Sequence, residues 1–126
     1  MATSVTRWDD LVQGEELAHL VTEPAREATL APLPDDLHPD VRESLPHDAL
    51  YEHQREAWDA AERGEHVIVT TGTASGKTLA FNLPVLDMIA REPKLRTLYL
   101  YPTKALAQDQ ARTLASFKLA PARAAI

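Results

Sequence analysis

The sequence predicts an α/β domain built on a parallel sheet with helices on both faces, and three observations predict it. Helical and strand patterns alternate from Leu50 onward. The two strand patterns, "HVIVTT" at residues 66–71 and "TLYLY" at 97–101, are almost continuously apolar. A glycine-bearing loop, "GTASGKT" at 72–78, joins the first of them to a helix. Apolar strands without polar alternation are what a parallel sheet covered on both faces requires. The chain has 126 residues, 44% of them hydrophobic, which suffices for one core of ordinary size and one domain at most.

Residues 4–21 place Trp8, Leu11, Val12, Leu17, Leu20 and Val21 at nearly helical spacing, interrupted by Gly14, and predict one or two short accessory amphipathic helices. From Pro24 to Pro46 lie five of the nine prolines among many acids, as in "LAPLPDDLHPDVRESLP". Such a segment supports no long element and reads as an extended connector or strap. Residues 1–48 are therefore an N-terminal helical and extended extension, and 49–126 the α/β part. In the latter, a helix over "LYEHQREAWDAAERG" ends at Gly64. The strand 66–71, the loop, a helix from Lys77 to about Ala90, the strand 97–101 and a helix over "KALAQDQARTLASF" follow. Pro84 deprives the Ala80 carbonyl of its usual donor and predicts a kink, or a short helix with a turn. Arg123 to Ile126 read as the beginning of another strand, so the α/β part is expected to be incomplete at its C-terminal end. Trp8 and Trp58 are expected in the core.

Net charge is −6, but it is divided unevenly: residues 1–66 carry 5 Lys/Arg and 16 Asp/Glu, residues 67–126 carry 8 and 3. An acidic half of net −11 thus precedes a basic half of net +5, and total charge is a poor guide to what the second half touches. With no cysteine there is neither a disulfide framework nor a thiolate metal site, which fits a reducing, cytoplasmic setting. No run approaches the roughly 18 apolar residues that a membrane span needs, and Met1 to Thr6 has no apolar signal core. His19, His38, His47, His53 and His66 show no metal spacing.

The stretch "VIVTTGTASGKT" carries the chemistry. Small residues in a strand-to-helix turn let successive N–H groups point inward, and the helix N-terminus adds about half a positive charge. Thr71, Gly72, Thr73, Ala74, Ser75 and Gly76 would form this cradle, Lys77 would reach the β and γ phosphates of a nucleotide, and Thr78 would place its hydroxyl on Mg²⁺. The general pattern has glycine where this chain has Thr71, a position at the strand end that a small residue can fill. Gln54 lies on the helical face of Tyr51, Ala57, Trp58 and Ala61, and a lone glutamine on an apolar stripe needs a partner. An amide can pair with an adenine edge, with Tyr51 offering stacking; the alternative is a boundary glutamine satisfied by backbone or water. Thr103 follows Pro102 and opens a helix, so its hydroxyl suits an N-cap, and the helix N-terminus with Lys104 could receive a nucleic-acid phosphate or simply face solvent. Gln108 and Gln110, on an exposed face, are expected to be solvated.

Three segments in order, "LYEHQREAW", "TGTASGKT" with the following "AFNLPVLD", and "YPTKALAQDQ", resemble the glutamine motif, phosphate loop and motif Ia of the superfamily 2 DEAD/DEAH-box helicases, over about residues 49–117. With the preceding "PLPDDLHP", the combination looks closest to the DNA-repair branch that includes the bacterial mitomycin-repair helicases. The resemblance implies a RecA-like phosphate-loop NTPase domain that binds ATP and Mg²⁺. It assigns adenine recognition to Gln54 and contact with a nucleic-acid strand, single or duplex and by preference DNA, to Pro102, Thr103 and Lys104. It also implies that the acids completing hydrolysis, a D-E-A-H or D-E-A-D segment absent from these 126 residues, lie elsewhere in a longer protein. The zinc module of the repair branch is absent too. A small-molecule kinase or other NTPase with the same loop, and a nucleotide-binding module without turnover, are the alternatives.

Overall fold

A computed structural model describes residues 27–72 and 76–119. The N-terminal helices expected at 4–21, Trp8, the loop residues Thr73, Ala74 and Ser75, and the strand expected at 123–126 lie outside the described residues. Six elements follow in order: strand β1 (Leu30–Pro32), helix α1 (Pro39–Ser44), strand β2 (Ala49–Tyr51), and helices α2 (Glu52–Glu62), α3 (Lys77–Arg91) and α4 (Lys104–Ser116).

The segment read as a connector is folded into the core. β1 and β2 pair antiparallel, with Leu30 opposite Tyr51, Ala31 opposite Leu50 and Pro32 opposite Ala49. Glu52 N–H extends the pair by donating to the Thr29 carbonyl at 3.0 Å. Proline costs a strand one ladder donor, and Pro32 sits where such a loss is tolerated, at the end of a three-residue edge strand. α1 begins with a proline at its first position, where the missing N–H is unneeded. Leu33, Leu37 and Val41 of this strap bury against Leu50, Trp58, Leu83 and Leu86, so acidic, proline-rich composition concealed three core positions spaced by four.

The helices form much as their periodicity requires. α2 begins two residues later than expected, because Leu50 and Tyr51 belong to β2, and it buries Gln54, Ala57 and Trp58 on one face. α2 packs on α3. α3 runs through Pro84 without a break: the proline is buried, and Leu83 and Leu86 on the adjoining turns are both fixed in the core. α4 buries no residue completely and docks by its C-terminal end, where Leu114 and Phe117 touch the core.

The strands expected at 66–71 and 97–101 form no ladder among the described residues, whose only sheet is the antiparallel β1–β2 pair. A parallel strand is made by its neighbours, and neither segment has one among the described residues. Their apolar side chains are correspondingly open, Ile68 at 89%, Leu98 at 81% and Leu100 at 83% exposure. Both segments nonetheless lie against helices: Tyr99 contacts Phe81 and Asn82 of α3, and residues 67–71 line a cavity of about 220 Å³ with His53, Glu56 and Ala57 of α2.

Candidate functional site

The loop that ends in Gly76 opens α3, and Gly76 caps that helix in the left-handed region at φ +75°. Its carbonyl accepts the first helical bond from Leu79 N–H at 3.1 Å. Only glycine adopts such a φ without strain. A Cβ on Gly76 would also stand 2.6 Å from Gln54 Nε2 and 3.5 Å from two ring carbons of Tyr51. Gly72, by contrast, has open space where a Cβ would be.

Lys77, first residue of α3, turns its ammonium back into the loop. Nζ donates to the carbonyls of Thr71 at 2.7 Å and Gly72 at 2.5 Å. Thr71, Gly72 and Lys77 are thereby brought together at the start of the helix, where the dipole and the ammonium give the same sign of field. Thr78 is half-buried on the next position.

Gln54 is 4% exposed, and both ends of its amide are engaged. Oε1 accepts from Tyr51 N–H at 2.9 Å, capping α2, and Nε2 donates to the Gly76 carbonyl at 2.9 Å. The partner that an amide on an apolar stripe demanded is thus backbone on both sides. An amide oxygen has two lone pairs and the nitrogen two hydrogens, so these two bonds use half of the amide's hydrogen-bonding capacity. The Tyr51 ring is partly exposed, lies beside Gly76 and stacks on His53 with centroids 5.8 Å apart and planes 12° from parallel.

At the other candidate region, Thr103 caps α4, its Oγ1 accepting from Leu106 N–H at 3.2 Å. Pro102 and Lys104 are exposed. Gln108 is exposed, whereas Gln110 departs from the expectation of a solvated residue: its Oε1 is buried without a hydrogen-bond partner among the described residues.

Two buried polar residues of α3 were not singled out from the sequence. Asn82, fully buried, accepts from the Tyr99 hydroxyl at 2.9 Å and so ties the segment leading to Thr103 onto the loop helix. Burial pushes the Tyr99 phenol up to about 12. Asp87, 2% exposed, accepts from Arg91 Nε at 2.5 Å and from His38 N–H at 2.7 Å. The available signal was positional: Asn82 and Asp87 sit three and four residues from Leu79 and Leu83 of the apolar stripe, and Arg91 lies one turn beyond Asp87.

The class that loop and helix define is that of proteins with a glycine-lysine-threonine phosphate loop at the start of a helix. By sequence comparison the chain belongs to the DEAD/DEAH box helicase family, whose profile matches residues 51–124. Relatives include the ATP-dependent helicase HRQ1 of Saccharomyces cerevisiae, 40% identical over 97 residues that make up 77% of this chain and 9% of the relative. The uncharacterized ATP-dependent helicase YprA of Bacillus subtilis is 48% identical over 68% of this chain and 12% of its own length. Among solved structures, the DUF1998 helicase MrfA bound to DNA and AMPPNP matches 74% of this chain and 14% of its own, with a TM-score of 0.72 and 45% identity. The family and this likeness imply a RecA-like fold, and the chain spans about a tenth of the relatives it matches. No helix among the described residues is long and apolar enough to cross a membrane.

Proposed function

We propose that this chain is the nucleotide-binding first part of the N-terminal RecA-like domain, residues 49–126 preceded by an extension at 1–48, of a cytoplasmic ATP-dependent DNA helicase with a parallel sheet. The observation that carries the proposal is the Lys77 ammonium, fixed at the mouth of the loop by two carbonyls at the N-terminus of α3. Carbonyl oxygens hold an ammonium by the same kind of bond that a phosphate oxygen makes, more strongly, as a charged acceptor. On this reading the Lys77 ammonium exchanges these carbonyls for phosphate oxygens when a triphosphate binds.

ATP and Mg²⁺ would be held by residues 71–78, with Lys77 and Thr78 taking the phosphate-facing roles and Thr73, Ala74 and Ser75 completing the cradle. When bound, ATP supplies the anhydride whose hydrolysis drives movement, and Mg²⁺ offsets its charge. This chain's own groups bind and orient: Lys77 presents positive charge, Gln54 holds the loop and presents its remaining valences to the base, and Tyr51 offers a ring face. Pro102, Thr103 and Lys104 would receive a backbone phosphate of the DNA. MrfA, crystallised with both DNA and AMPPNP at 45% identity, supports assigning both partners to this chain. A small-molecule kinase is not favoured, since the family matched is one of helicases.

The test is Lys77→Ala in the full-length protein. Charged hydrogen bonds are each worth ~1.5 to 3 kcal/mol, so ATP affinity should fall more than tenfold. Unchanged nucleotide titration would remove the assignment.

A further inference from the structure

We infer that Asp87 is a positioning residue for nucleotide binding, acting from the far part of α3 through the strap at residues 29–45 on Tyr51 and Gln54. The inference rests on the proposed role of the loop. Asp87 lies ten residues after Lys77 along the helix, about 15 Å away at 1.5 Å per residue, too far to touch anything the loop holds.

The path is a closed circuit that begins and ends on α3. Asp87 Oδ1 accepts from the His38 backbone N–H at 2.7 Å, at the N-cap of α1. Arg91, paired to the same carboxylate, donates to the Asp36 carbonyl. Arg42 of α1 donates to the Pro34 carbonyl at 2.5 Å, which closes the strap on itself. The strap thus held continues backwards into β1, and β1 pairs residue by residue with β2 up to Leu30 opposite Tyr51. Arg55 reinforces that edge from α2, donating to the Pro32 carbonyl at 3.1 Å. Tyr51 N–H binds Gln54 Oε1, and Gln54 Nε2 binds the Gly76 carbonyl, one residue before Lys77. Each step is a hydrogen bond, a strand pairing or the continuous backbone of the strap.

The chemistry at Asp87 sets it apart from an ordinary packing contact. A carboxylate at 2% exposure is costly to bury unless its lone pairs are filled. Here the strap supplies one donor directly and Arg91 the others, so helix and strap are each satisfied only in contact. Loss of the carboxylate leaves His38 N–H and the Arg91 guanidinium without that acceptor and loosens the polar attachment of the strap to α3, while the packing of Leu33, Leu37 and Val41 on Leu83 and Leu86 remains. The residues that lose their restraint are then Tyr51 and Gln54 on the base side of the loop, while Lys77, held by loop carbonyls, keeps its place.

That asymmetry provides the experiment. In the full-length protein, Asp87→Ala and the milder Arg91→Ala are titrated with ATP and with inorganic tripolyphosphate, well below the melting temperature. Both variants should bind ATP about three- to tenfold more weakly, a coupling typical of residues in one hydrogen-bond network, with tripolyphosphate affinity unchanged. Asp87→Ala combined with Gln54→Ala should bind ATP no more weakly than Gln54→Ala alone. Unchanged ATP affinity with a lower melting temperature makes Asp87 a structural residue and overturns the inference, as does an equal loss for both ligands. Lys77→Ala, run alongside, separates the two levels: should it keep its ATP affinity, the loop assignment falls and the inference with it.

Discussion

Gln54 Nε2 sits 2.9 Å from the Gly76 carbonyl, so tightly placed that a single added carbon on Gly76 would approach the same nitrogen to 2.6 Å. One side chain thereby spans the beginning of α2 and the beginning of α3, 22 residues apart. The glycine before the lysine is required on two counts, a left-handed backbone and the close approach of an amide.

Gly76→Ala should therefore cost about 1 to 2 kcal/mol from the left-handed backbone alone, with a further loss as Gln54 is displaced. Chemical denaturation of the single variants and of Gly76→Ala/Gln54→Ala measures the coupling. The double variant should be less damaged than the sum of the singles, because removing the amide relieves the steric part. Strict additivity would mean that the two side chains do not meet as described.

Gln54→Ala should alter nucleotide choice as well as stability. It removes a helix-capping acceptor and an inter-helix bond, worth together ~1 to 2 kcal/mol. If the remaining valences of the amide read adenine N6 and N7, guanine would set an acceptor against an acceptor, a difference of ~1 to 3 kcal/mol. ATP use in the full-length protein should fall while GTP use stays nearly level, so that the two nucleotides become almost equal substrates. A lower melting temperature with the ATP/GTP ratio intact would leave Gln54 with its backbone bonds alone.

Lys104→Ala should weaken binding of single-stranded DNA about equally for all sequences and reduce the salt slope by about 0.7, one phosphate's share for a single strand. Thr103 keeps its cap on Leu106 N–H, so α4 should persist, and ATP binding measured without DNA should not change. An ATP defect with normal strand affinity would place this helix end elsewhere.

Tyr99 sets a stability limit at high pH. Its phenol is pushed up to about 12, chiefly by burial, while the unfolded chain ionises near the ordinary tyrosine value of about 10. A raised folded pKa means that the stability contribution is complete below the unfolded value and declines as pH rises towards the folded one. Between about pH 10 and 12 the folded protein should lose stability, and Tyr99→Phe should flatten that decline. A phenolate absorbance titration should assign the latest-ionising step to Tyr99, and that step should be missing from Tyr99→Phe; a late step that persists in the variant would belong to another tyrosine and remove the assignment.

What the sequence determined by itself was whatever depends on neighbours within a turn or two. The spans of α3 and α4 followed from their apolar period, the Thr103 cap from a hydroxyl opening a helix, and Trp58 in the core from its place on the stripe. The order of glutamine, loop and PTK segments also sufficed to name the family, because the spacing of such motifs is a property of the chain.

Only the tertiary structure decided what depends on partners remote in sequence. Nothing local says that Leu30–Pro32 pairs with Ala49–Tyr51, since each strand is three residues long and has no period to read. The strap looked solvent-bound by composition, yet three residues spaced by four bury their side chains, and backbone donors and acceptors between them reach Asp87 and Arg91 on α3. Conversely, 66–71 and 97–101 carry strand composition without a ladder, because main-chain pairing belongs to two segments together and neither has its neighbour among the described residues. Gln54 shows the division within one residue: its need for a partner was legible from a polar side chain on an apolar face, but the identity of that partner, Gly76 across 22 residues, exists only once α2 and α3 are packed.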